Sequence, residues 1–148
     1  MTTESPTNSE ADPLPEGFSA YSEMSPFLDR IGPLYERVES GRRIIATRVA
    51  EHQCNRRGFA HGGLYTALAD VTLGKNLSGS RQPPVPLVTS SLTVDFVSSA
   101  RIGDLLEVRT EFTRVGRRMA FANGYLQVGE RIVARASAVF AVMGEGGS

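Results

Sequence analysis

At 148 residues the chain has room for one domain with a proper core and not for two. Hydrophobic residues make up 41% and charged residues 22%, the formal net charge is zero, and no run of 18 apolar residues occurs, which argues against a membrane span. A single cysteine, Cys54, excludes an internal disulfide, so a reducing cytoplasm is the expected location.

Residues 1–17 read as an acidic disordered tail, rich in Ser, Thr and Pro, with neither the basic start nor the apolar stretch of a secretory leader. Glu4, Glu10, Asp12 and Glu16 fall in its first 16 residues without any Lys or Arg, leaving 16 cations against 12 anions beyond it. That excess of four positive charges suits a phosphorylated small ligand and is far too weak for nucleic acid. One domain is expected over 18–143, with a flexible end at 144–148. Ser25-Pro26 reads as an N-cap followed by Pro at the first helical position, opening a short helix that Gly32-Pro33 ends. "LYERVESGRRIIATRVAEHQ" reads as two strands about a Ser40-Gly41 turn, with His52 and Cys54 alternating at the far end.

From about Gly62 to Leu77, Leu64, Ala67, Leu68 and Val71 recur at helical spacing, and Gly79 lies just past the end. Beyond the Pro-rich loop "RQPPVP" the period becomes two: Leu92, Val94 and Phe96 alternate with Thr93, Asp95 and Val97. Leu106, Val108, Thr110 and Phe112 alternate with Glu107, Arg109 and Glu111, a strand with one wet face. Gly103-Asp104, Gly116 and Gly129-Glu130 mark the turns between the remaining strands. The class is therefore α+β. A long helix that is apolar nearly all round has to be wrapped on most sides, and the strands can supply one curved antiparallel sheet to do it.

Asp70 stands out inside that helix. An Asp in a helix interior has poor propensity, and a charge in an apolar segment costs several kcal/mol unless something pairs with it. The neighbours are less telling singly. Gly62-Gly63 alone reads as a tight turn, His61 as a cap or packed residue, and Asn55 as a loop residue. Together with Asp70 they form a pattern: Asn55, Gly58, His61-Gly62-Gly63, then Asp70 after "LYTALA". A carboxylate can serve as base or nucleophile, and the glycines opening a helix offer unsatisfied N–H groups to a developing negative charge.

This pattern resembles the hotdog-fold acyl-CoA thioesterases of the phenylacetate-pathway type, over roughly residues 27–142. The resemblance implies a hotdog fold, a curved sheet around one central helix, and hydrolysis of an acyl-CoA to coenzyme A and a free acid. It implies Asp70 as base or nucleophile, Gly62 and Gly63 N–H as oxyanion donors, Asn55 as holder of water or carbonyl, and His61 in support. Coenzyme A is then part of the substrate, and neither a separate cofactor nor a metal is expected. In some relatives a serine stands at the place of Thr89; Ser90 and Ser91 adjoin it, so alternation alone does not fix which hydroxyl faces the helix. The resemblance implies a homodimer with shared sites, or a dimer of dimers, and the ~12 Å along the helix from Gly62 to Asp70 separately argues for a shared site. Arg114, Arg117 and Arg118 flank the Gly116 turn, where they either hold coenzyme A phosphates or simply face solvent. Cys54 has no evident histidine dyad and reads as a buried thiol, and His52 as a surface or interface residue. A non-catalytic acyl-CoA-binding hotdog protein is the alternative, though the N-terminal stretch is too short and acidic for an attached DNA-binding domain. A dehydratase would use a different His and acid pattern.

Overall fold

In the computed structural model residues 13–144 are described, so of the tail expected over 1–17 and the end expected over 144–148, residues 1–12 and 145–148 lie outside the described residues. Within the stretch read as tail, Phe18 N–H reaches Pro15 O at 3.0 Å and Gly17 takes φ +81°, so a turn is already formed there. A two-residue strand follows (β1, Ser19–Ala20), too short to leave a period in the sequence. Helix α1 (Pro26–Ile31) starts and stops as expected: Ser25 Oγ accepts the Leu28 N–H at 3.2 Å, and Gly32 N–H caps onto Leu28 O. Strands β2 (Tyr35–Glu39) and β3 (Arg42–Arg48) turn about Ser40 and Gly41, both at positive φ as a tight hairpin requires.

The second strand ends earlier than the sequence suggests. Glu51–Gln53 form a 3₁₀ turn, so His52 is not on a strand, and Cys54 is half-buried where a buried thiol was expected. Helix α2 (Gly62–Ser78) is followed by β4 (Leu87–Phe96), β5 (Leu105–Val115), β6 (Met119–Val128) and β7 (Arg131–Val142). The antiparallel sheet runs β1-β2-β3-β5-β6-β7-β4, which leaves ten-residue β4 as an edge. This is the hotdog fold expected from the pattern.

The core lies between α2 and the concave face of the sheet. Leu68, Leu73 and Leu77 are fully enclosed and pack in one cluster with Ile45, Leu106, Val108, Leu126 and Val133. Each such burial stabilises by about 1.5–3 kcal/mol. The helix is not wrapped on most sides, however. Its buried residues (Leu64, Tyr65, Leu68, Ala69, Thr72, Leu73, Leu77) form one face, while Ala67, Asp70 and Val71 stay half-buried on the other. One chain supplies one sheet layer, and one layer covers one face.

Two bulges break the period-two reading. A shift between Thr110 and Phe112 turns Phe112 to the convex side, 49% exposed, where strict alternation would bury it. A shift between Thr89 and Ser91 does the reverse for Thr89, which pairs with buried Phe140 and so faces α2. Opposite the first bulge, Gly124 has no room for a side chain: an added Cβ would lie 2.1 Å from Arg109 O, a backbone atom. Gly124→Ala is therefore expected to destabilise the fold by on the order of 3 kcal/mol, read as a lower midpoint in urea unfolding with an unchanged m-value.

Candidate active site

The loop before α2 is tied down by its own side chains. Asn55 Oδ1 accepts the Arg57 and Phe59 N–H groups at 2.9 and 3.2 Å, so its amide N–H₂ points away from the loop backbone. The Asn55 and Phe59 backbones also bond at 2.8 Å, and Gly58 takes φ +84° to close the turn. His61 caps α2, its Nδ1 accepting the Gly63 N–H at 2.8 Å, which fixes the ring proton on Nε2.

The four unsatisfied N–H groups of the helix start can now be followed one by one. Gly63 gives its proton to the His61 ring, and Leu64 and Tyr65 give theirs to His61 O at 2.9 and 3.4 Å. Gly62 N–H alone has no partner among the described residues. Of the two glycines expected as oxyanion donors, Gly63 gives its N–H to the cap and Gly62 keeps its own free. Bare Cα positions also matter here, since a Cβ on Gly62 would press on the Phe96 ring at 3.3 Å.

Asp70 lies two turns further on. It is half-buried on the open face of α2, and its Oδ1 accepts the Thr89 hydroxyl at 2.6 Å. No cation pairs with it among the described residues, so the carboxylate keeps its second oxygen unengaged. Beside it opens a groove of about 270 Å³ lined by Leu28, Val71, Gly74, Leu87, Phe140 and Tyr21. Burial pushes the Tyr21 phenol up to about 12, so it stays neutral. His61 and Gly63 line a different groove, of about 300 Å³, with Phe27, Ile31, Cys54 and Leu64. Within one chain the structure thus gathers Asp70 with Thr89, and Asn55 with His61 and Gly62, but not the one group with the other.

Arg114, Arg117 and Arg118 are exposed at the β5–β6 tip. Arg118 O accepts the Val142 N–H, and Val142 pairs with Leu87 at the start of β4, far from the Asn55 loop along the sheet. No three His, Cys, Asp or Glu side chains converge on a possible metal position among the described residues. No helix is long and apolar enough to cross a membrane.

Two supporting residues gave no signal in the sequence. Gln53, 4% exposed, donates from Nε2 to Ile31 O at 2.6 Å and to Thr47 Oγ1 at 2.9 Å. It also accepts the Ala50 N–H, while its carbonyl accepts the His61 N–H at 2.9 Å. A glutamine ordinarily reads as surface, and only its burial gives it away. Tyr65 Oη accepts the Ala100 N–H at 2.8 Å, and burial raises its phenol above the ordinary value.

A curved antiparallel sheet packed on one long capped helix is the hotdog arrangement, and that helix carries a free N–H at its start and a carboxylate on its half-open face. The thioesterase superfamily model matches residues 57–133, and the chain belongs to that family. It is 49% identical over 128 residues to PA0474 of Pseudomonas aeruginosa, which bears an esterase name, covering 86% of this chain and 96% of that protein. Among solved structures, conserved protein PA5202 from Pseudomonas aeruginosa superposes with a TM-score of 0.70 at 25% identity, over 81% of this chain and 95% of that one. A mutant of the phenylacetic acid degradation protein PaaI from Thermus thermophilus gives 0.68 at 25%, over 79% and 98%.

The cap yields a direct test. His61→Ala should cost about 1 kcal/mol in urea unfolding, and His61→Asn, which keeps a side-chain acceptor, should recover most of it.

Proposed function

We propose that the protein hydrolyses an acyl-CoA thioester to coenzyme A and a carboxylic acid, in a homodimer with two shared sites. Asp70 acts as general base toward a water or as nucleophile toward the carbonyl carbon. Gly62 N–H donates to the carbonyl oxygen as negative charge develops on it, and the Asn55 amide steadies the water or carbonyl. Thr89 donates to one oxygen of Asp70 and leaves the other facing the groove. Coenzyme A enters as part of the substrate and leaves as the free thiol, with water taking its place on the acyl carbon.

The observation that carries this reading is a distance. Gly62 and Asp70 are eight residues apart on one straight helix, ~12 Å at 1.5 Å per residue, whereas an oxyanion donor and a base must both lie about 3 Å from the reacting group. Two antiparallel copies of α2 about a two-fold axis bring the start of one helix beside the middle of the other. The half-open face of α2 and the long free edge of β4 supply the surface for such a pairing. A dimer of dimers would in addition cover the convex apolar residues Phe112, Met119 and Phe121. Exposed arginines meet the phosphates of the substrate, and those of the β5–β6 tip are one candidate set. The lone Cys54 accords with a reducing cytoplasm.

Asp70→Asn keeps the shape of the side chain, so its circular dichroism should match wild type while thioester turnover falls roughly 100-fold or more. Near-native turnover would remove Asp70 from the chemistry.

Shared sites make a second expectation. Asp70→Ala and Asn55→Ala homodimers should each be inactive, yet a verified mixed dimer should recover up to about half the wild-type rate, since one of its two sites is whole. A mixed dimer as inactive as its parents would refute the shared arrangement.

A further inference from the structure

Most arginines of the sheet have a carboxylate within reach: Arg37, Arg43, Arg109, Arg131 and Arg135 all form ion pairs. Arg56, Arg57 and Arg101 do not. Arg30 and the tip residues Arg114, Arg117 and Arg118 are likewise unpaired among the described residues, so what sets Arg56, Arg57 and Arg101 apart is their place on or against the loop that carries Asn55 and His61. All three are exposed, and among the described residues none has a salt bridge or a side-chain hydrogen bond. Two adjacent guanidinium groups repel each other, and an unmatched trio on one rim raises the local positive potential.

The three are attached to a rigid frame. Arg57 N–H is fixed on Asn55 Oδ1, Gly58 turns the chain at φ +84°, and Phe59 bridges Arg101 in an antiparallel pair. Ala60 N–H donates to Ala100 O at 2.9 Å, and Ala100 N–H to Tyr65 Oη on the first turn of α2. The Arg101 guanidinium lies 5.5 Å over the Phe59 ring, which orients it without neutralising it. Asp104, the acid of this corner, is already engaged: its Oδ2 accepts the Arg101 backbone N–H at 2.8 Å and lies 3.8 Å from Arg131. The bonds that position Asn55 and His61 therefore also present three unpaired guanidinium groups beside them.

We propose that Arg56, Arg57 and Arg101, rather than the β5–β6 tip, hold the phosphates at the nucleotide end of the substrate, a diphosphate and a phosphate monoester. Planar guanidinium forks match phosphate oxygens two at a time, and three of them on one rim match a polyphosphorylated group. The assignment rests on the acyl-CoA reading. In that reading the carbonyl sits at Gly62 N–H, and the loop that bears Arg56 and Arg57 runs directly into that end of α2.

Three probes test it: an acyl-CoA, the same acyl group on N-acetylcysteamine, which keeps the thioester and lacks the phosphates, and adenosine 3′,5′-bisphosphate, which has phosphates and no thioester. Wild type should favour the CoA ester in kcat/KM. In Arg56→Ala/Arg57→Ala/Arg101→Ala that preference should shrink about tenfold or more, through KM. Calorimetric binding of the bisphosphate should weaken in parallel and lose much of its salt dependence. The Arg56→Ala/Arg57→Ala double variant, altered only at exposed loop positions, should show a smaller loss of the same kind should the triple variant fold poorly. A preference within about twofold of wild type, or its collapse in Arg117→Ala/Arg118→Ala instead, would overturn the assignment. If neither ester is turned over, the hydrolase reading fails by itself. The bisphosphate titration then still decides on the arginines: loss of binding in the variants upholds them, and absence of binding to wild type overturns them.

Discussion

The seventeen residues of α2 pack one face into the sheet and leave the other only half-covered within this chain. The covered face holds the large aliphatic side chains that supply the hydrophobic stabilisation. The half-open face holds small or short residues, among them Ala67, Asp70 and Val71. A carboxylate in the covered face would have to shed its water at a cost of several kcal/mol. On the half-open face it needs a single hydroxyl, and Thr89 provides it. Gly74 lies where the helix comes close to the sheet, since a Cβ there would press on the Phe140 ring of β7 at 3.2 Å.

The start of the helix works by scarcity. Three of its first four N–H groups are spent on His61, two on its carbonyl and one on its ring, so only one remains to meet a ligand. A donor with no internal competitor is preorganised for a developing negative charge, because no protein bond has to break when the charge arrives. Gln53 extends this order backward, since its buried side chain and carbonyl join α1, β3 and His61 in one satisfied network.

Much of this was readable from residue pattern. Ser25-Pro26, Ser40-Gly41 and the 3.6-residue period of α2 carry their structure locally, and so each element appeared where its caps and turns put it. The resemblance carried by Asn55, His61-Gly62-Gly63 and Asp70 pointed to the fold and the family. What escaped depends on contacts distant in sequence. The reversal at Phe112 arises where β5 gains a residue against β6, and no feature of "RTEFTR" announces it. The capture of Gly63 N–H is a matter of ring orientation, and the burial of Gln53 is a matter of what α1 packs over it. Arg56 and Arg57 sat in plain view inside the motif. Their lack of acidic partners becomes visible only once the ion pairs of the whole surface are known.

The bulge in β4 separates two requirements that a regular strand would bind together. Leu92 and Val94 must face the helix to complete the core, and in an unbroken pleat Thr89 would then face outward. The extra residue at Ser90 changes the phase of the strand ahead of it, so the hydroxyl meets Asp70 while the aliphatic side chains keep their places. The segment before the bulge can thus be lengthened, shortened or recomposed without disturbing the parity of the segment after it. Insertions and deletions, which normally scramble a buried strand, become at this one point a route by which the reactive wall can diverge while the architecture is inherited unchanged.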